Sequence, residues 1–194
     1  LPEGFRYRSL SWAGSELHDG HPVPGAADGM GVVRQEGSRV TLVRNHELQG
    51  SSGAMGDPAR AYDNTPGGTT TLEFDTLRGE LVDSRVSLGG TLHNCAGGVT
   101  PWGTWLSCEE GVYSPSLRHL APVGKYRYWK IERAEREHGF VFEVPAEGVA
   151  EPEPIVAMGP DALIMSDPGL IMMVRERWPD LPIHLSVQSN AVNY

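Results

Sequence analysis

The chain has 194 residues, a formal net charge of −9, 24 glycines, 15 prolines and two cysteines. That length allows one substantial core, and the acidic balance excludes the basic face that a nucleic-acid-binding protein needs. No apolar run approaches the ~20 residues of a bilayer-spanning helix, and two cysteines do not make a disulfide framework, although they could pair with each other.

Phe5-Arg6-Tyr7-Arg8-Ser9-Leu10 alternates apolar and polar residues, which predicts a half-buried strand. Asp19-Gly20 and Pro22-Val23-Pro24-Gly25 follow as a loop, since each proline restricts itself and the residue before it. Asp28 to Val33 is a short apolar piece introduced by an acid, and Gln35-Glu36-Gly37-Ser38 is a turn. Arg39 to Arg44 reads as a strand, with Val40, Leu42 and Arg44 on one face, and it runs into the metal-competent Asn45-His46-Glu47. Residues 48–68 are polar, rich in glycine, serine, alanine and proline, and aperiodic, which predicts a long surface loop. Thr69–Asp75 and Glu80–Leu88 make a hairpin across Arg78-Gly79, and Gly89-Gly90 breaks its second strand. Lys125 to Glu137 suggests a strand and a linker, and His138 to Val144 is a strand closed by Pro145.

The chain is organised around Asn94-Cys95-Ala96-Gly97-Gly98-Val99-Thr100-Pro101-Trp102-Gly103-Thr104-Trp105-Leu106-Ser107-Cys108-Glu109-Glu110. It holds both cysteines, a glycine turn that lets backbone come close, and paired carboxylates at the end of a short strand. Thiolate and carboxylate together suit a metal; the alternative is a tight hairpin with a packed cysteine and solvated glutamates. Alternation puts Glu109 on the face of Ser107 and Trp105, and Cys108 and Glu110 on the other. Cys108 reads as a packed core residue, and His46, His93 and His138 as hydrogen-bonded structural residues. Short strands at turn-punctuated intervals predict an all-β sandwich, barrel or propeller. An internal echo favours the propeller: Asp28 precedes a strand leading to Glu47, and Cys95 precedes one leading to Glu109 and Glu110.

From Pro160 the character changes. The last 35 residues hold one glycine and half of the six methionines. Asp161 to Ser166 is a buried strand, Asp167-Pro168 is a helix start, and Leu170, Ile171, Val174 and Trp178 have helical spacing. With Leu181 to Val187 as a second strand, this is a βαβ-like C-terminal segment.

Residues 1–159 resemble the PhoX-type alkaline phosphatases. The resemblance is carried by Gly4-Phe5-Arg6-Tyr7, Asp28-Gly29-Met30, Leu42 to Glu47, Gly68 to Leu72, Asn94 to Glu110 and His138 to Val144. It implies a six-bladed β-propeller, here incomplete, and export to the periplasm or beyond by the twin-arginine route, with the signal outside this sequence. It further implies a central site with iron and calcium, and hydrolysis of phosphate monoesters. Residue by residue, it implies Cys95 as a thiolate ligand to iron and Glu47, Glu109 and Glu110 as carboxylate ligands. Asn45 and Asn94 would support these or face calcium. Residues 160–194 are similar instead to a fragment of the collagenase-like peptidase family, through Asp161 to Gly169, Val174-Arg175-Glu176 and Pro179 to Asn193. A partial phosphatase domain over 1–159 would thus be joined to an unrelated barrel-type fragment near Met158–Asp161, with an incomplete and inactive site. The competing reading is a non-catalytic β-propeller binding module. A peptidase function is weaker still, because 35 residues cannot supply a barrel active site.

Overall fold

The computed structural model describes residues 2–5, 7–50, 52–110, 113–115, 133–155, 163–165 and 168–185. It divides into two compact units, Leu1–Glu153 and Pro154–Tyr194. In the first, β1 (Ala27–Glu36), β2 (Arg39–His46), β3 (Gly67–Asp75) and β4 (Glu80–Thr91) form a four-stranded antiparallel sheet in chain order. A second antiparallel sheet holds β5 (Asn94–Val99), β6 (Trp105–Glu109) and β7 (Val141–Val144). Glycines enable the turns: Gly37, Gly79 and Gly103 have φ of 59°, 65° and 84°, values that L-residues seldom adopt. In the β3–β4 turn, Asp75 Oδ1 accepts hydrogen bonds from Leu77 N and Arg78 N, both at 3.0 Å.

The expected incomplete six-bladed propeller is not formed among the described residues. The described strands make one open four-stranded sheet and one open three-stranded sheet, with no ring of blades. A propeller needs radial repetition of four-stranded sheets around a channel. Here residues from both sheets fill one common core: Val33, Val43 and Leu88 from the first, Trp105, Phe142 and Val144 from the second, with Tyr62 and Ala150. The short, turn-punctuated strands that suggested a propeller serve two meanders equally well.

Other expectations also change. Phe5, Tyr7 and the described residues through Leu10 form no strand, and Phe5 and Tyr7 are 70% and 82% exposed. Alternation without a neighbouring strand has nothing to pair with. Gly89 and Gly90 do not end a strand; they lie inside β4, where the 48–66 segment crosses it. Tyr62 N bonds Gly89 O and Asp63 N bonds Gly90 O, each at 3.0 Å. A Cβ on Gly90 would sit 2.1 Å from Asp63 O, so these glycines mark a close backbone approach rather than a break. That crossing segment keeps Asp57 to Arg60 exposed, as expected of a surface loop, but buries Tyr62 and Thr65. The strand expected from Lys125 lies largely outside the described residues.

A cover spanning residues 11–25 packs Leu17 and Val23 against Val86 of β4. Asp19 Oδ2 accepts from Val86 N at 2.7 Å, and Asp19 N donates to Ser84 O at 3.3 Å. Open strand edges invite unwanted pairing; this contact occupies part of the β4 edge. In the second unit, β8 (Leu163–Met165) and β9 (Ile183–Leu185) pair in parallel, with α1 (Pro168–Arg177) between them in sequence. Parallel strands require a crossover, which α1 supplies. Val174 of α1 is buried, and the Arg175 guanidinium donates to the carbonyls of Pro179 and Leu181 beyond the helix end. Asp161 and Asp167 and the residues after Leu185 lie outside the described residues.

Candidate metal centre

Two irregular hairpins supply the site, and they share a plan. In β1–β2, Ala27 pairs with His46 and Met30 with Arg44, so Asp28 and Gly29 both oppose Asn45. In β5–β6, Asn94 pairs with Glu109 and Gly97 with Ser107, so Cys95 and Ala96 both oppose Cys108. Each is a β-bulge, which turns the extra side chain out of the regular alternation. The residue two before each bulge ligand has a left-handed backbone: Ala26 at φ 47° and His93 at φ 57°. Each such residue also accepts a bond from the acid just past the second strand, Glu47 N to Ala26 O at 2.8 Å and Glu110 N to His93 O at 3.0 Å. The Asp28–Glu47 and Cys95–Glu110 pairs are therefore structural counterparts. The sequence echo reflects this, and its spacings differ because the hairpins differ in length.

The bulges meet closely. A Cβ on Gly29 would sit 2.6 Å from Cys95 O, so only glycine allows this approach without displacement. Asn45, fully buried, fixes the join: its Nδ2 donates to Cys95 O at 2.9 Å and Ala96 O at 2.8 Å, and its Oδ1 accepts from Trp105 Nε1 and Ser107 Oγ. Asn94 accepts from Thr91 Oγ1 at 2.6 Å and donates to Ser107 Oγ at 2.9 Å. Both carboxamides hold backbone and neighbouring side chains in place.

The ligand atoms of Asp28, Glu47 and Cys95 lie within 4.8 Å of one another, and so do those of Glu47, His93 and Glu110. Glu47 belongs to both groups. His93 Nδ1 lies 3.4 Å from Glu47 Oε1 and 3.1 Å from Glu110 Oε2, and its Nε2 lies 2.5 Å from Gln49 Nε2. Burial raises the Glu47 pKa, with Asp28 and Glu110 adding to it and His93 opposing. Burial likewise pushes the Cys95 thiol up to about 11, helped by its hydrogen bond to Asp28 and by the charges of Asp28, Glu110 and Glu47. Crowded carboxylates disfavour their own ionisation, and a cation would relieve that. The donors fit one: carboxylate oxygens for a hard ion, thiolate and imidazole for a transition metal.

Of the expected ligands, the structure brings together Cys95, Glu47 and Glu110. Glu109 is elsewhere. Its oxygens accept from Leu92 N at 2.7 Å, Gly139 N at 2.6 Å and Phe140 N at 3.0 Å, and contact His138 Nδ1 at 2.7 Å. Asn45 and Asn94 lie behind the cluster, bonded as described. Asp28, a potential ligand only through the internal echo, and His93, expected to be structural, join the cluster. The echo singled out Asp28, whereas nothing in the local pattern separated His93 from the structural histidines. His46, bonded to Gly25 O and Thr70 Oγ1, is structural, and burial lowers its pKa to about 4. Cys108 is partly buried, belongs to neither group of candidate ligands, and forms no disulfide.

Fold and cluster together define an antiparallel β protein with two groups of acid, thiol and imidazole side chains that could hold a cation. The family described as alkaline phosphatase PhoX matches over residues 1–76 and 71–160, and the chain belongs to that family. A second match, to peptidase family U32, covers residues 149–194. Over 42 residues the chain is 76% identical to "tRNA hydroxylation protein P" of Escherichia coli, which is 22% of this chain and 9% of that protein. The Haemophilus influenzae protein of the same name is 69% identical over 42 residues, with the same coverage. The chain thus spans about 9% of the length of the curated relatives it matches. No solved structure matches it.

Proposed function

We propose that this chain carries metal ligands of a phosphate monoesterase. Cys95 would bind iron, with Asp28, Glu47, His93 and Glu110 completing an iron and calcium site. The observation that carries this reading is the sharing of Glu47 between two groups of convergent donors, one with a thiol and one with an imidazole. A carboxylate with two oxygens can bridge two ions, and two ions can clamp a phosphate. Bound cations would neutralise phosphate oxygens and activate the attacking group. The chain's own part is positional: Asn45 locks the Cys95 loop, and Asn94 and Ser107 hold the strand beneath it. A phosphate monoester substrate and a periplasmic or secreted location belong to the same reading and rest on family membership.

The test pairs elemental analysis with hydrolysis of p-nitrophenyl phosphate, with and without added calcium. Iron should co-purify with the chain and be lost in Cys95→Ala, and Glu47→Gln should weaken calcium binding about tenfold or more. Unchanged iron content in Cys95→Ala would remove Cys95 from the site. Absence of both metals and of turnover would defeat the reading.

We also infer that two families are joined in this chain near Met158–Asp161. The family matches over 1–160 and 149–194 and the division into units at Glu153–Pro154 support this. The activity in the relatives' name stays with those proteins, since only 42 residues are shared. Sequencing across the codons for Met158 to Asp161 in independent isolates tests whether the joined frame is natural; a frame interrupted there would make the union an artefact.

A further inference from the structure

The face of the first sheet turned away from Asn45 holds an uncompensated charge. Arg44 sits on β2 between Met30 of β1 and Thr70 of β3, with 9% of its surface exposed. Adjacent strand residues point to opposite faces, so Arg44 projects away from Asn45 and the Cys95 loop that it holds. Its Nη2 donates to Ser11 Oγ at 3.0 Å, and its Nε is buried with no partner. Among the described residues, every ion pair uses Arg34, Arg78, Arg85, His93 or His138. Arg34 and Arg85, on the same sheet, each have two or more acids beside them. The most enclosed of these sheet arginines has none.

Its surroundings do not compensate. His46, two residues along the same face, uses its ring nitrogens on Gly25 O and Thr70 Oγ1. Ser11, which meets the guanidinium, is held at φ 55°, a conformation uncommon outside glycine. Its hydroxyl accepts from Arg44, which leaves its own proton free to donate. A buried charge without a counter-charge is strongly disfavoured. A planar guanidinium matches the paired oxygens of a carboxylate or phosphate, and its two Nη groups form one such edge.

We propose that Arg44 and Ser11 form a seat for a small oxyanion, phosphate or carboxylate, on the face of the β1–β4 sheet opposite the Cys95 loop. The guanidinium supplies charge and two parallel donors, and Ser11 Oγ–H supplies a third. The proposal does not depend on the metal reading, because the two sets of residues share no member.

The full chain, in chloride buffer with EDTA, is titrated with inorganic phosphate and separately with acetate, by calorimetry and by the shift in melting temperature. Saturable binding of one of them is expected, and which one binds identifies the ligand chemistry. Arg44→Gln should weaken it about tenfold or more, the loss expected for charge-assisted hydrogen bonds. Ser11→Ala should weaken it less, and Glu47→Gln should not change it. Arg44→Met should melt at or above the wild-type temperature in the absence of ligand, because it removes an unpaired buried charge. Absence of saturable binding by wild type, undiminished binding by both Arg44→Gln and Ser11→Ala, or a lower melting temperature for Arg44→Met would each overturn the proposal.

Discussion

Glu109 and Glu110 are adjacent in sequence and belong to different systems. Glu109, with Asp63 and His138, forms a buried triad in which side-chain exposure is 0%, 5% and 0%. Every member is satisfied there. Asp63 Oδ2 accepts from Glu135 N and Arg136 N at 2.8 and 2.9 Å, and His138 bridges to both acids. Glu110 faces Glu47 and His93, with side chains 55% and 32% exposed for the two acids, and on top of burial the two carboxylates lie close enough to raise the Glu47 pKa. Burial and charge do not by themselves mark a site. What separates the two is whether the protein supplies the compensating partners. The triad ties the Asp63 crossing segment, the end of β6 and the chain entering β7 into one unit, whereas the cluster is the group proposed above to take a cation.

The largest effect that would break or sharpen this contrast comes from exchanging acids one at a time. Glu109→Ala leaves three backbone N–H groups unpaired in the interior and His138 with Asp63 as its one remaining acid, and should cost about 3–5 kcal/mol of unfolding free energy. Glu47→Gln, tested in EDTA, should change stability by less than about 0.5 kcal/mol, or raise it, because it removes a repelling charge. Urea unfolding of both variants beside wild type checks this. A Glu109→Ala loss under about 1 kcal/mol, together with weakened metal binding, would move Glu109 back among the ligands where the sequence motif first suggested it.

How much of this was legible in the sequence depends on whether a feature is written in neighbouring residues. β2, the β3–β4 hairpin and the turn at Gly79 were readable, since alternation and turn glycines are local. The bulges were not. A bulge is a mismatch between two strands, and nothing within Asp28-Gly29 or Cys95-Ala96 alone reveals one. That is why alternation correctly grouped Glu109 with Ser107 and Trp105 and yet did not show that Glu109 would be consumed by the backbone of Leu92, Gly139 and Phe140. Gly89-Gly90 failed for a related reason. Glycine signals either a break or a close approach, and only the partner segment, Tyr62 and Asp63, decides between them. His93 joined the site through its left-handed backbone, again a property of the fold. The incomplete propeller was an inference from family likeness, short strands and an internal echo, whereas the structure is set by which hairpins share a core.

A smaller and pH-dependent effect tests the triad directly. Burial alone would lower the His138 pKa, but the Glu109 charge and the hydrogen bonds to Asp63 and Glu109 outweigh it and raise the value to about 9, from an ordinary 6.5. A histidine raised on folding contributes stability that is fully present below 6.5 and is lost as pH rises through about 9. Asp63 acts on the other side. Burial alone would raise it, but bonds from His138 and from the amides of Arg136, Asn64 and Glu135 bring it to about 2, from 3.8. Its contribution is present above 3.8 and is lost as pH falls through about 2. Tyr62, edge-on to His138 with ring centroids 5.5 Å apart, has a pKa raised by burial to about 12 and so stays neutral across the alkaline window. Unfolding free energies from urea titrations in EDTA should rise between about pH 4 and 6.5, where burial keeps His46 neutral while the unfolded chain protonates it. They should fall towards pH 10 by an amount on the order of 3 kcal/mol from His138. In His138→Gln that alkaline decline should flatten, at the expense of lower stability at pH 6. An identical decline in the variant would mean that some other group titrates, and that the triad is held by hydrogen bonds without the imidazolium charge.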